Sequence, residues 1–135
     1  MAECAFCQIV TGERDAYVIY EDEQTAAFLD SHPAIQGHTL VAPRTHHKYL
    51  FTGDESRAMA VFRTVRRVAM GINQTLEPDG VSLFYTSADL VGQVTHAHVH
   101  LLPRYTDDNI HLALARESLN DEEAARLVAH LRDNL

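Results

Sequence analysis

The chain has 135 residues, 46% of them apolar and 22% charged. That is enough for one domain with a core and too little for two, and the balance is that of a soluble globular protein, not a disordered one. Acidic residues outnumber basic ones 19 to 11, a formal charge of −8, which argues against a general nucleic-acid binder. No apolar run approaches the ~20 residues of a membrane span. The opening Met1-Ala2-Glu3-Cys4 lacks the basic patch and apolar stretch of a secretory signal, so the expected compartment is the cytoplasm. Lys48 is the one lysine. An acidic, lysine-poor surface fits either a high-salt habitat or a GC-rich codon bias.

Phe6 to Val10 reads as a short helix ending near Thr11-Gly12. Tyr17 to Tyr20 and Thr25 to Leu29 read as strands joined by Glu21-Asp22-Glu23-Gln24. After a loop from Asp30 to Gly37, a third strand runs from His38 to Ala42 and stops at Pro43. The clearest helix spans Asp54 to Leu76, with Ala58, Val61, Phe62, Val65, Ala69, Ile72 and Leu76 at three- and four-residue spacing. Thr52 and Glu55 have the spacing of a capping box. Pro78-Asp79-Gly80 ends the helix, and Val81 to Tyr85 and His96 to Leu102 read as the fourth and fifth strands. A last helix, Asp121 to Arg132, has Asn120 as its N-cap. The order predicts a single α+β domain over residues 1–135. It is a mainly antiparallel five-stranded sheet with one long helix and shorter N- and C-terminal helices.

Two features carry chemistry. Cys4 and Cys7 are the only cysteines, in Cys-Ala-Phe-Cys. A disulfide between them would close a very small ring and stabilise little. Inside a cell such a pair is more often a redox pair or half of a zinc site, and zinc would have to find its other ligands among the histidines. The second feature is Thr95-His96-Ala97-His98-Val99-His100-Leu101-Leu102. On a strand, His96, His98 and His100 share one face while Ala97, Val99 and Leu101 take the other. Packing the apolar face on a helix leaves a row of imidazoles on the open side. Each can act as nucleophile, proton donor or metal ligand.

The stretch His96-Ala97-His98-Val99-His100-Leu101-Leu102 resembles the signature of the histidine triad (HIT) family. Cys4-Ala5-Phe6-Cys7-Gln8-Ile9-Val10 resembles the opening of its small prokaryotic zinc-containing members. Phe28-Leu29-Asp30, Gly37-His38-Thr39-Leu40-Val41 and Pro43-Arg44-Thr45-His46 are similar to its central block. The resemblance implies a HIT-like fold and hydrolysis or nucleotidyl transfer at the α-phosphorus of a purine nucleotide. His98 would be the nucleophile, forming a covalent nucleotidyl-histidine, and His100 would assist at the phosphate and leaving group. Asp30 matches the acidic residue that accepts the ribose hydroxyls, although read alone it equally suits a turn. His32 stands where similar proteins place an apolar residue under the base. Cys4, Cys7, His46 and His96 match a structural zinc site, with His47 adjacent to His46. A homodimer is implied, for which Met59 and Met70 on the long helix offer apolar surface.

Two departures from the family pattern stand near the triad. Gly92-Gln93 is followed by only Val94 and Thr95 before His96, one residue fewer than usual. Either the loop is one residue shorter, or Gln93 takes the position of the small hydroxyl residue that in similar proteins contacts the leaving group; it is kept as a nucleotide-binding candidate that can donate to a phosphate oxygen. Tyr85-Thr86-Ser87-Ala88-Asp89 replaces an asparagine followed by glycines. Nucleoside phosphoramidates such as adenosine 5′-phosphoramidate rank first as substrates, and dinucleoside polyphosphates are the alternative. A zinc-stabilised purine-nucleotide-binding module with negligible turnover is the reading from a different class.

Overall fold

The computed structural model describes residues 4–86 and 94–135. One antiparallel sheet contains β1 (Val18–Glu21), β2 (Thr25–Leu29), β3 (Thr39–Pro43), β4 (Gly80–Phe84) and β5 (Val99–Arg104) in the order β1-β2-β3-β5-β4. Helices α1 (Ala5–Val10), α2 (Glu55–Leu76) and α3 (Asp121–Asp133) complete the expected α+β set. Among the described residues no helix is long and apolar enough to cross a membrane.

Strand alternation gives the sheet two apolar faces. Ala27, Val41, Val99 and Leu101 meet Val61, Val65, Val68 and Ile72 of α2. Ala26, Phe28, Leu40 and Ala42 meet Phe6 of α1 on the opposite face. The side expected to be open is therefore partly covered by α1. Ala97 joins the α2 core with Val99 and Leu101, so the alternation read from the sequence holds.

Several boundaries differ from the sequence reading for identifiable reasons. The N-cap of α2 is Asp54, whose carboxylate accepts the Ser56 N–H at 2.9 Å; Thr52 instead offers its carbonyl to Arg57. The inward stripe takes in Thr64 and Val68 and turns Phe62 out. A threonine is tolerated there because its hydroxyl pairs with that of Thr25 at 2.7 Å. β5 begins at Val99 and not at His96. The Ala97 N–H goes to the His47 carbonyl at 2.7 Å, which draws the segment before Val99 out of the sheet ladder.

The chain leaves β5 through Arg104. Its guanidinium makes two bonds to Asp108, at 2.8 and 3.1 Å, and also donates to Ser82 and the Ile110 carbonyl. This fork fixes the direction in which the C-terminal segment departs. At the other end of the site, Gly37 turns the loop into β3 with φ of +93°. A Cβ there would lie 2.6 Å from Leu76 and 3.0 Å from Pro103. Gly37→Ala is expected to cost about 1–3 kcal/mol, measured as a lower midpoint in thermal or urea unfolding; unchanged stability would contradict the packing described.

Candidate active site and metal centre

Hydrogen bonds decide which nitrogen of each histidine carries the proton. His98 Nδ1 is 2.7 Å from the His96 carbonyl oxygen. A carbonyl only accepts, so the proton sits on Nδ1 and Nε2 presents its lone pair. The Ala34 N–H donates to His38 Nδ1 at 3.0 Å, which places the His38 proton on Nε2. That N–H donates to His100 Nδ1 at 2.9 Å, so the His100 proton sits on Nε2. Adjacent rings, with centroids 4.9 Å apart, thus offer opposite chemistry: a basic Nε2 on His98 and an Nε2–H donor on His100.

Burial keeps these rings neutral. It lowers the pKa of His38 and of His98, and lowers His100 to about 4 with added repulsion from His98 and His38. Asp30 Oδ2 lies 3.4 Å from His38 Nε2, but its pull is weaker than the desolvation of the ring. The other oxygen of Asp30 accepts the His32 N–H at 2.9 Å. Asp30 thus serves the turn with one oxygen and keeps the second at the histidines. His32 is exposed, with Nδ1 3.1 Å from the Ser31 hydroxyl.

Asp30, His38 and His100 lie close enough together to be read as a metal trio. The Ala34 amide argues against it. A metal on His38 Nε2 would move the proton to Nδ1, where it would face another N–H.

The second cluster has the opposite character. His96 is fully buried, and its Nε2–H donates to the Pro43 carbonyl at 2.6 Å. Its Nδ1 lone pair faces Cys4 Sγ at 3.5 Å and Cys7 Sγ at 3.6 Å, and His46 Nδ1 is 3.4 Å from Cys7 Sγ. All four ligand atoms lie within 4.8 Å of one another. Tetrahedral ligands at zinc distances of ~2.0–2.3 Å sit roughly 3.3–3.8 Å apart, so the donor set fits zinc in type and spacing. The carbonyl behind His96 is the outer partner that metal-bound imidazoles require. Of the neighbouring histidines, His46 faces the cluster, while His47 lends its backbone carbonyl to Ala97. Burial and then the Cys4 thiol hold the Cys7 proton on; a cation at the centre would displace it.

Ring contacts fix the orientation of His98 and His100. Phe6 of α1 meets His98 edge-on at 4.9 Å, and Phe84 stacks on His100 at 4.2 Å with 12° between planes. A cavity of about 10 Å³, lined by Lys48, Thr86, Thr95, His98 and His100 among others, adjoins the pair. It has room for about one water. Gln93 lies outside the described residues. His38, Phe6 and Phe84 were not singled out from the sequence. The parity of β3 carried the signal for His38: it shares a face with Leu40, which pairs with His100.

The HIT domain family matches residues 11–107, and the chain belongs to that family. A crystal structure of a HIT-family member from Bacillus subtilis superposes with a TM-score of 0.90 at 30% identity, covering 98% of this chain and 97% of that one. A zinc-bound histidine triad family protein from Mycobacterium smegmatis superposes at 0.75, with 31% identity and 99% of each chain covered. The adenylylsulfatase HINT3 of Arabidopsis thaliana is 32% identical over 98% of this chain and 70% of its own length.

The tautomers are directly measurable. In ¹⁵N NMR of the folded protein at neutral pH, His98 is expected to carry its proton on Nδ1 and His100 on Nε2. The midpoint of His100 is expected at about 4, against ~6.5 for an unfolded imidazole. Because the folded value is the lower one, the stability contributed by neutral His100 is complete above pH ~6.5 and lost as the pH falls toward 4. An Nδ1–H on His100, or a midpoint near 6.5, would contradict the geometry.

Proposed function

We propose that the chain, folded as one domain, is a hydrolase or nucleotidyl transferase acting at the α-phosphorus of a purine nucleotide. The observation that carries this reading is the His96 carbonyl clamp on His98 Nδ1–H, which leaves Nε2 basic beside the His100 donor. The lone pair of His98 Nε2 attacks phosphorus, and the bond to the leaving group breaks. His100 Nε2–H stabilises charge on the phosphate or leaving atom. Water then cleaves the P–N bond and restores His98. The Oδ2 oxygen of Asp30, beside His38 Nε2, is assigned to the ribose hydroxyls, because each carboxylate oxygen accepts more than one donor. Gln93 is kept as a phosphate donor.

An adenosine 5′-phosphoramidate is the first substrate class. Anhydrides are the second reading: dinucleoside polyphosphates, or an adenylyl sulfate, which the name of the Arabidopsis relative favours. His98→Ala is expected to lower turnover at least 10³-fold while AMP affinity changes less than about 5-fold, because the nucleophile bonds only in the transition state. His100→Ala should lose less, since water replaces a donor in part. Stopped assays on each substrate class, with calorimetric AMP titration, test this. Near-wild-type turnover by His98→Ala overturns the covalent route. AMP binding with no turnover of any class leaves a nucleotide-binding module in its place.

Zinc is proposed as a structural cofactor held by Cys4, Cys7, His46 and His96, a closed set with no position left for substrate. It would tie α1 to the segment that carries the triad, and a thiolate site supports a reducing compartment, for which the cytoplasm is proposed. One zinc per chain is expected by elemental analysis of untagged protein. Cys4→Ser should lose the metal and melt earlier, with activity reduced about 10–100-fold through displacement of His98. Protein free of zinc after growth in zinc-supplemented medium would overturn this assignment. A homodimer is proposed as well, supported by the exposed apolar side chains of Met59, Phe62 and Met70 on α2.

A further inference from the structure

The thiol cluster is asymmetric. His96 is fully buried beneath it, whereas Cys4 and Cys7 are both partly exposed. A small molecule arriving from solvent therefore meets the cysteines before the ring of His96. Both cysteines are free thiols, and their sulfur atoms lie within 4.8 Å of each other. They stand three residues apart at the start of α1, where the Cys7 N–H donates to Cys4 Sγ at 3.4 Å. Positions three apart on a helical turn have Cβ atoms roughly 5–6 Å apart, and a disulfide needs about 3.5–4.5 Å. Joining the sulfurs is within reach if the first turn of α1 tightens by about 1–2 Å. The ring so closed is small and stabilises little, and a strained, exposed disulfide is readily reduced again.

Phe6 lies between the two cysteines and passes movement of that turn inward. Its ring meets His98 edge-on at 4.9 Å and tilts against His96 at 5.7 Å. On its other side it packs edge-on against Phe28 at 5.1 Å. It is buried, and close packing leaves it little room to yield without disturbing these rings.

We infer that Cys4 and Cys7 form a reversible oxidation site: hydrogen peroxide joins them in a disulfide, the zinc assigned above is lost, and the tightened turn draws Phe6 off His98. One thiolate sulfur attacks a peroxide oxygen; the O–O bond breaks, leaving a sulfenic acid and hydroxide. The second thiolate attacks that sulfur; the S–S bond forms, the S–O bond breaks and a second hydroxide leaves. The two sulfurs give up two electrons, the peroxide takes them, and two protons from solvent turn the hydroxides into water. A disulfide has no thiolate to offer a metal, and His46 and His96 alone do not close a tetrahedral site. His96 keeps its bond to the Pro43 carbonyl and its own carbonyl still holds His98 Nδ1–H. The triad segment therefore stays in place while the helix that covers it shifts, which makes the change reversible.

The test treats full-length, untagged protein of measured zinc content with hydrogen peroxide. Expected are a mass loss of two hydrogens, a Cys4–Cys7 cross-link in the peptide map, and one zinc passed to a chromogenic chelator per cross-link. The His98 ring resonances should shift while the proton stays on Nδ1, and turnover of an adenosine 5′-phosphoramidate should fall about 10–100-fold. A dithiol with added zinc should reverse each change. In Phe6→Leu the cross-link and zinc release should persist while the His98 shift shrinks. Thiols and zinc untouched by peroxide, or a single cysteine taken to its sulfinic acid without a cross-link, overturn the oxidation site. A cross-link that leaves the His98 resonances unmoved overturns the coupling to the triad. Protein without zinc at the outset overturns the zinc assignment instead, and mass and His98 resonances then still decide the oxidation site. Neither of those readouts depends on turnover, so an inactive protein would count against the proposed reaction and not against the oxidation site.

Discussion

His96 holds three connections at once. Its carbonyl takes the proton of His98 Nδ1, its Nε2–H is spent on the Pro43 carbonyl, and its Nδ1 lone pair faces two cysteines. Backbone and ring of one residue therefore link the His98 imidazole, the end of β3 and the thiol cluster. Full burial makes each of these bonds expensive to leave unmade, so they act as constraints on the site. Phe6 adds a fourth tie, touching the rings of both His96 and His98 from α1.

The chemistry that the histidine face offers follows from neutral rings with assigned tautomers. One backbone amide, Ala34 N–H, sets the tautomer of His38 and through it that of His100. A backbone donor cannot titrate, so the polarity of the chain from Ala34 to His100 holds across the neutral range. Gly37, held at positive φ between Leu76 and Pro103, aims this loop at the triad. A glycine and an amide outside the histidine motif thus decide how the motif is used.

Much of this was legible in the sequence. The alternation of His96, His98 and His100 with Ala97, Val99 and Leu101 assigns the faces that the fold shows, and the family resemblance groups Cys4, Cys7, His46 and His96, whose ligand atoms lie within 4.8 Å of one another. The finer placement was not. The start of β5 depends on the Ala97 amide reaching the His47 carbonyl, a contact between segments 50 residues apart in the chain. The inward turn of Thr64 depends on a hydroxyl partner across the core. The role of His38 depends on strand register. Long-range pairing decides all three, and periodicity does not record it.

The most direct test of the account is the stereochemistry at phosphorus. An adenosine 5′-phosphoramidate analogue carrying sulfur at the α-phosphorus, of one configuration, is hydrolysed in ¹⁸O-water and the configuration of the product is read by ³¹P NMR. Attack by His98 followed by attack by water is two inversions, and the account predicts net retention. Net inversion would mean that water attacks phosphorus directly, and His98 would not be the nucleophile.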